Sequence, residues 1–171
     1  MTIIRLEQPS DVDAIRELVR QAFTGHPISR GAEPSIIDAL RADGALEVSM
    51  VAEVEGAPVA HIAYSAAAIG DAGAGWFLVG PVAVRPDLQG RGIGRGLIEA
   101  SLEIVRSRGA LGCVLVGDPA FYRRFGFSRV AGVEWPGVPG EYVLTLLFGA
   151  EEPSGEIGFH PAFLISGPPQ D

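Results

Sequence analysis

Residues 82–94 read Val-Ala-Val-Arg-Pro-Asp-Leu-Gln-Gly-Arg-Gly-Ile-Gly, and no other stretch restricts the fold as strongly. An apolar strand-like run enters a loop with glycine at every second position, and an amphipathic helical pattern follows without a spacer. Gly90, Gly92 and Gly94 remove the side chains that would hold a ligand away from the main chain. The amides of Gln89, Gly90, Arg91, Gly92, Ile93 and Gly94 can then converge on one anion. The helix that starts there adds unpaired N–H groups and about half a positive charge of dipole. Arg91 and Arg95 bring full charges to the same end. Hydrogen bonds to a charged acceptor contribute about 1.5–3 kcal/mol each, so four or five would hold a pyrophosphate. Tight strand-to-helix packing also favours glycine, and the loop alone does not separate the two accounts.

Elimination narrows the choice. All 13 basic residues are arginine, which excludes a Walker loop and a lysine Schiff base. The dinucleotide fingerprint fails because Gly90-x-Gly92 is followed by Arg95 and Gly92-x-Gly94 by Leu97. What stands is Gln89-x-x-Gly92-x-Gly94. After one further helix and strand comes Gly117-Asp-Pro-Ala-Phe-Tyr-Arg-Arg-Phe-Gly-Phe127, containing Phe121-Tyr122-x-x-x-Gly126-Phe127. In this order and separation the two motifs resemble those of GNAT-type N-acetyltransferases. Glu33-x-x-Ile36-Ile37-x-x-Leu40-Arg41 and the late Phe-His-Pro-Ala-Phe at 159–163 are similar to the YhbS-like branch of that family.

The remaining pattern gives the architecture. Strands are expected at 2–6, 46–54, 58–69, 76–85, 111–116 and 142–148, and helices at 11–23, 33–42, 92–108 and 119–125. Ser10 is read as the cap of the first helix, with Asp13 three positions on. Strand, cradle, helix and strand make a parallel βαβ crossover in an otherwise antiparallel sheet. The fold class is therefore α/β (α+β), a GNAT-like mixed, mostly antiparallel sheet with helices on both faces. Pro81 lies inside a strand, where proline is tolerated at a bulge or an edge, and in the family a bulge here parts two parallel strands.

A chain of 171 residues, 47% hydrophobic and 20% charged, suits one domain over 1–150. Residues 151–171 form an extension packed on it or trailing from it, with Pro168 and Pro169 in a loose end. The net charge of −8 argues against nucleic acid or an anionic membrane as partner. No apolar run is long enough to span a bilayer and acidic residues interrupt the N-terminus, so the expected location is cytoplasmic. The single cysteine, Cys113, reads as a buried thiol, and the three scattered histidines give no metal-ligand spacing. His61 reads as a packed, hydrogen-bonded core histidine. Monomer and homodimer stay equally open.

The resemblance implies acetyl-coenzyme A as cosubstrate, attacked directly by a primary amine in a ternary complex. It places the pyrophosphate on Gln89–Arg95 and the pantetheine arm along Val82, Ala83 and Val84. It makes the Val82 N–H the donor to the tetrahedral oxyanion and Tyr122 the partner of the leaving thiolate. An amine with a pKa near 10.4 is about one part in a thousand neutral at pH 7, so a base is required. Glu33, in the region that covers the acceptor in this family, is the candidate for amine recognition or for taking the proton through water. A helix N-terminus welcomes glutamate on electrostatic grounds alone, and that reading stands beside it. The acceptor is a small-molecule or protein amine. A catalytically silent acyl-coenzyme A sensor or assembly domain would share the cradle, and Tyr122 favours the enzyme.

Overall fold

The structure is a computed structural model that describes residues 1–27 and 29–166. In chain order its strands are β1 Thr2–Leu6, β2 Val48–Val54, β3 Ala57–Ile69, β4 Gly73–Val84, β5 Gly112–Val116, β6 Val133–Glu134, β7 Val143–Leu147 and β8 Gly155–Gly158. The helices are α1 Val12–Phe23, α2 Glu33–Ala42, α3 Ile93–Ser107 and the single turn α4 Pro119–Tyr122. Hydrogen bonding runs in the order β1-β2-β3-β4-β5-β7, with β8 joined to β3 and β6. Along that path β4 and β5 are parallel, while β1–β2, β2–β3 and β5–β7 are antiparallel. The mixed sheet with one parallel crossover is the expected class.

The chain forms two compact units. The first comprises Met1–Tyr64, Gly80–Leu102 and the chain from Pro161, and the second comprises Ser65–Val79 and Glu103–His160. In the first unit, the register Arg5↔Val51↔His61 puts these side chains on one face, because successive strand residues alternate faces. Ile15, Val19 and Ile37 pack there against Val51 and Ala83, which lays α1 and α2 on that face. The opposite face meets α3: Gly96 lies against Ile4 Cδ1, and Gly94 against Val84 Cγ2. The helical periodicities hold in detail, with Ile15, Leu18 and Val19 buried on α1, Ile36, Ile37 and Leu40 on α2, and Leu97, Ile98 and Val105 on α3. In the second unit, β5 pairs with β7 over five residues (Gly112↔Leu147 to Val116↔Val143), around buried Cys113, Val114, Leu115 and Leu144.

Three expectations need correction. Ser10 does not cap α1. The chain enters through a 3-10 turn at Pro9–Asp11, and Asp11 accepts the Gln8 N–H at 2.7 Å. Asp11 is drawn there by a tertiary partner, Arg5, whose guanidinium meets it at 2.7 and 3.0 Å. The segment after Gly149 was expected to hold no strand, yet Gly155–Gly158 forms β8, pairing with Ala68–Ile69 and with β6. Its two glycines give it little intrinsic strand preference, so pairing partners decide its state. The strand expected at 76–85 begins earlier, at Gly73. The loose end with Pro168 and Pro169 lies outside the described residues.

Candidate active site

The loop after β4 divides its glycines between two tasks. Gly90 and Gly92 have φ of +76° and +83°, and a Cβ added at either would meet no atom within 4 Å. Gly94 differs: a Cβ there would stand 3.1 Å from Val84 Cγ2, so this glycine lets α3 approach β4. Tight packing thus explains Gly94, whereas the left-handed backbone requires Gly90 and Gly92 and leaves an open main-chain surface there. Gly96 is the first residue of α3 whose N–H closes a helical bond, to Gly92 O at 3.1 Å. Ile93, Gly94 and Arg95 precede it, and helix geometry gives their amides no acceptor within the helix. An anionic group fits this surface, since the amides, the dipole and the guanidinium of Arg91 share one sign.

Several contacts hold the loop. Gln89 turns its side chain back onto the strand and donates to Val84 O at 3.1 Å. Its own N–H reaches Pro86 O at 3.5 Å, so this amide is already half committed when the cradle begins. Arg85 and Asp87 form an exposed pair at 2.6 Å, and the guanidinium holds the Asp87 carboxyl below the usual carboxylate range. Arg95 pairs with Glu99 one turn along α3 at 2.9 Å; both are exposed, and such a pair yields readily to a stronger anion.

On β4, the three residue pairs with β5 are Trp76↔Gly112, Phe77↔Cys113 and Leu78↔Val114. Two residues beyond this ladder the strand carries Gly80, with φ +137°, and Pro81. Arg85 N–H bonds Val59 O at 2.8 Å, which fixes the side of β4 that faces β3. By strand alternation Ala83 shares that side, and the main-chain groups of Val82 and Val84 point to the other. Val84 O there accepts the Gln89 side-chain amide.

Glu33 is the first residue of α2. Its Oε2 is buried and has no hydrogen-bond partner among the described residues. Ala32, Ile36 and Leu40 of this segment bury one apolar surface with Ala162, and Phe163 packs against it. The two segments that carried the branch resemblance, 33–41 and the Pro-Ala-Phe of 161–163, are therefore neighbours in space. Periodicity gave no sign of that contact.

Tyr122 stands in the second unit, where Asp118 caps α4 by accepting the Ala120 N–H at 2.9 Å. Its ring is packed edgewise by Phe121 and Phe127, with centroids at 4.9 and 5.9 Å. Gly117 makes the space, because a Cβ there would come 2.5 Å from Tyr122 Cε2. Burial pushes the phenol up to about 12. Cys113 is fully buried, and burial also raises its thiol to about 12, which keeps it protonated and inert. The cradle, Val82–Val84 and Glu33 thus share one unit, and Tyr122 belongs to the other. Sequence reasoning missed Gly117 as the residue that admits the tyrosine ring, although its place five residues before Tyr122 was the available signal. Phe159, the first residue of the late branch-like motif, stacks on Trp135 at 4.3 Å, a contact that the motif did not signal.

Comparison with known proteins bears on the family and the fold. The family model described as an acetyltransferase (GNAT) domain matches residues 46–129. The uncharacterized N-acetyltransferase YhbS of Escherichia coli K12 is 33% identical over 140 residues, 79% of this chain and 81% of that protein. A crystal structure of a GNAT family acetyltransferase from Brucella melitensis in complex with acetyl-CoA superposes with a TM-score of 0.85 at 43% identity, covering 95% of this chain and 98% of that one. YhbS from Escherichia coli, solved in complex with CoA, gives 0.85 at 29% identity, covering 97% and 93%. Among the described residues, no helix is long and apolar enough to cross a membrane.

Proposed function

The chain belongs to the GNAT family of N-acetyltransferases, and on that premise we propose that it moves the acetyl group of acetyl-coenzyme A directly onto a primary amine held in a ternary complex. The observation that carries this reading is the pair of open, left-handed glycines, Gly90 and Gly92, at the start of α3. The Brucella relative and YhbS hold acetyl-CoA and CoA respectively, which supports the same ligand here.

In this reading the pyrophosphate lies on the amides of Gly90–Arg95, with Gln89 holding the loop and Arg91 and Arg95 supplying charge. The pantetheine arm runs along Val82, Ala83 and Val84, pairing with the main-chain groups turned away from β3 as an added strand would. The neutral amine attacks the thioester carbon, and the carbonyl oxygen becomes an oxyanion that the Val82 N–H stabilises. The C–S bond then breaks and the electron pair leaves on sulfur. Tyr122 donates a hydrogen bond to that sulfur. With the phenol at about 12 and a thiol near 8.5, full proton transfer would be uphill by about 5 kcal/mol, so hydrogen bonding is the productive role. Glu33, with an oxygen that lacks a donor, recognises the amine.

Thiol release from acetyl-coenzyme A, followed across a panel of small amines and peptides, tests the proposal. Amine-dependent release is the expected outcome. Saturable coenzyme binding without release for any amine would refute it and leave a ligand-sensing domain.

A further inference from the structure

The first unit contains a second cluster of titratable groups, beneath α1 and α2. Ser49 on β2 donates its hydroxyl hydrogen to Glu7 Oε2. Glu7 Oε1 accepts two bonds from the Arg41 guanidinium, at 2.7 and 2.9 Å. On the other side of Ser49, His61 Nε2 lies 2.7 Å from its Oγ. A hydroxyl has one hydrogen, and this one is given to Glu7. Ser49 must then accept from His61, which puts the proton on Nε2 and leaves Nδ1 with a bare lone pair. His61 is 0% exposed, and its Nδ1 has no partner among the described residues. Such an atom is costly unless something completes it.

The position of that lone pair matters. Arg85 N–H bonds Val59 O, and two residues further along the antiparallel ladder Ala83 comes beside His61. Neighbouring strands lie about 5 Å apart, so His61 sits one strand spacing from the segment Val82–Val84. Its side chain is on the face that α2, the helix of Glu33, also covers.

We propose that His61 Nδ1 accepts the proton released by the attacking amine, relayed through a bridging water, with Glu7 acting through Ser49 as its counter-ion. The inference rests on the acetyl-transfer reading above. The amine N–H bond breaks as the N–C bond forms, the proton settles on Nδ1, and the imidazolium later returns it to solvent. Charged groups of both signs surround the ring. Glu7 after β1 lies 3.7 Å from Nε2, and Asp11 at the entry to α1 adds a second negative field. Arg41 of α2 opposes the imidazolium, and Asp38 as well as Glu7 pairs with it; Arg5 of β1 pairs with Asp11 and Glu53. The α1 and β4 residues over this face, Ile15, Val19 and Ala83, are apolar. Burial lowers the imidazole's pKa, so it rests neutral and able to accept.

The test is the pH profile of kcat/KM at saturating acetyl-coenzyme A, for the native chain, His61→Gln and Glu7→Gln, with the nitrogen-15 spectrum of His61. Deprotonation of the amine gives a fall in rate below about pH 10 in every variant, and a required neutral base adds a second, steeper acidic limb that breaks at its own pKa. His61→Gln should lower kcat/KM at neutral pH by about 10²–10⁴ and remove that limb, while coenzyme affinity stays within threefold. Glu7→Gln withdraws the counter-ion and should move the limb to lower pH. The spectrum should show hydrogen on Nε2 and none on Nδ1. An unmoved limb in Glu7→Gln, or hydrogen on Nδ1, overturns the proposal and leaves a structural histidine with an internal water. Those two readouts decide it even if His61→Gln does not fold. Failure of the native chain to release thiol with any amine would instead refute acetyl transfer itself.

Discussion

Replacing Gly92 by alanine separates the ligand-binding role of the cradle from the backbone conformation that builds it. Gly92 has φ +83°, and a methyl there meets nothing within 4 Å. Gly109, just beyond the other end of α3, has φ +81° and equally open space, so it is a matched control. An L-residue in left-handed backbone costs about 1–2 kcal/mol, and both substitutions should therefore lower the melting temperature of the free protein by a few degrees. Only Gly92→Ala puts a methyl where the pyrophosphate would lie. Losing one bond to a charged acceptor, about 1.5–3 kcal/mol, corresponds to a roughly 10- to 150-fold rise in the Kd for coenzyme A. Calorimetric titration of both variants measures it. If Gly92→Ala binds coenzyme A within threefold of Gly109→Ala, the phosphates do not lie on this loop and the functional case fails.

Further outcomes follow from the same geometry. Tyr122→Phe should lower kcat at least tenfold and leave coenzyme affinity within a few-fold; unchanged turnover in a steady-state thiol assay would remove the hydroxyl from the mechanism. Gly117→Ala forces a methyl to 2.5 Å from the buried Tyr122 ring, so it should cost stability by about 1–3 kcal/mol and reduce turnover as well; a variant with native melting and native rates would show that the ring has room to move. Burial pushes the Glu7 carboxyl up, but His61, Ser49 and Arg41 outweigh it and hold it at about 2 against an ordinary 4.5. The stabilisation from this depressed pKa is present above pH 4.5 and is lost as pH falls towards 2, amounting to about 3 kcal/mol. In urea titrations the native chain should lose more stability over that window than Glu7→Gln, and parallel losses would contradict the assignment.

Local chemistry made much of this protein legible in its sequence. The apolar spacing of α1, α2 and α3 and the glycine-rich turn into α3 each depend on residues within a few positions of one another. Short-range periodicity and backbone permission are properties a sequence displays directly. For the same reason Val82–Val84 fall on the expected strand and Gln89–Arg95 on the expected strand-to-helix turn, and the GNAT motifs were readable as strings. Ser10 shows the limit. It has the residue type and spacing of a cap, yet the helix entry is organised by Asp11 reaching Arg5 on a neighbouring strand.

Tertiary structure alone decided what lies at long sequence separation. The segment 155–158 is a strand because Ala68–Ile69 and β6 offer it partners. Ala162 meets Ile36 because the chain returns to α2 after more than a hundred residues. The Glu7–Ser49–His61 chain of hydrogen bonds links three segments whose register no local pattern specifies. Periodicity tells a side chain which face to occupy, and only the folded register determines which partner it finds there.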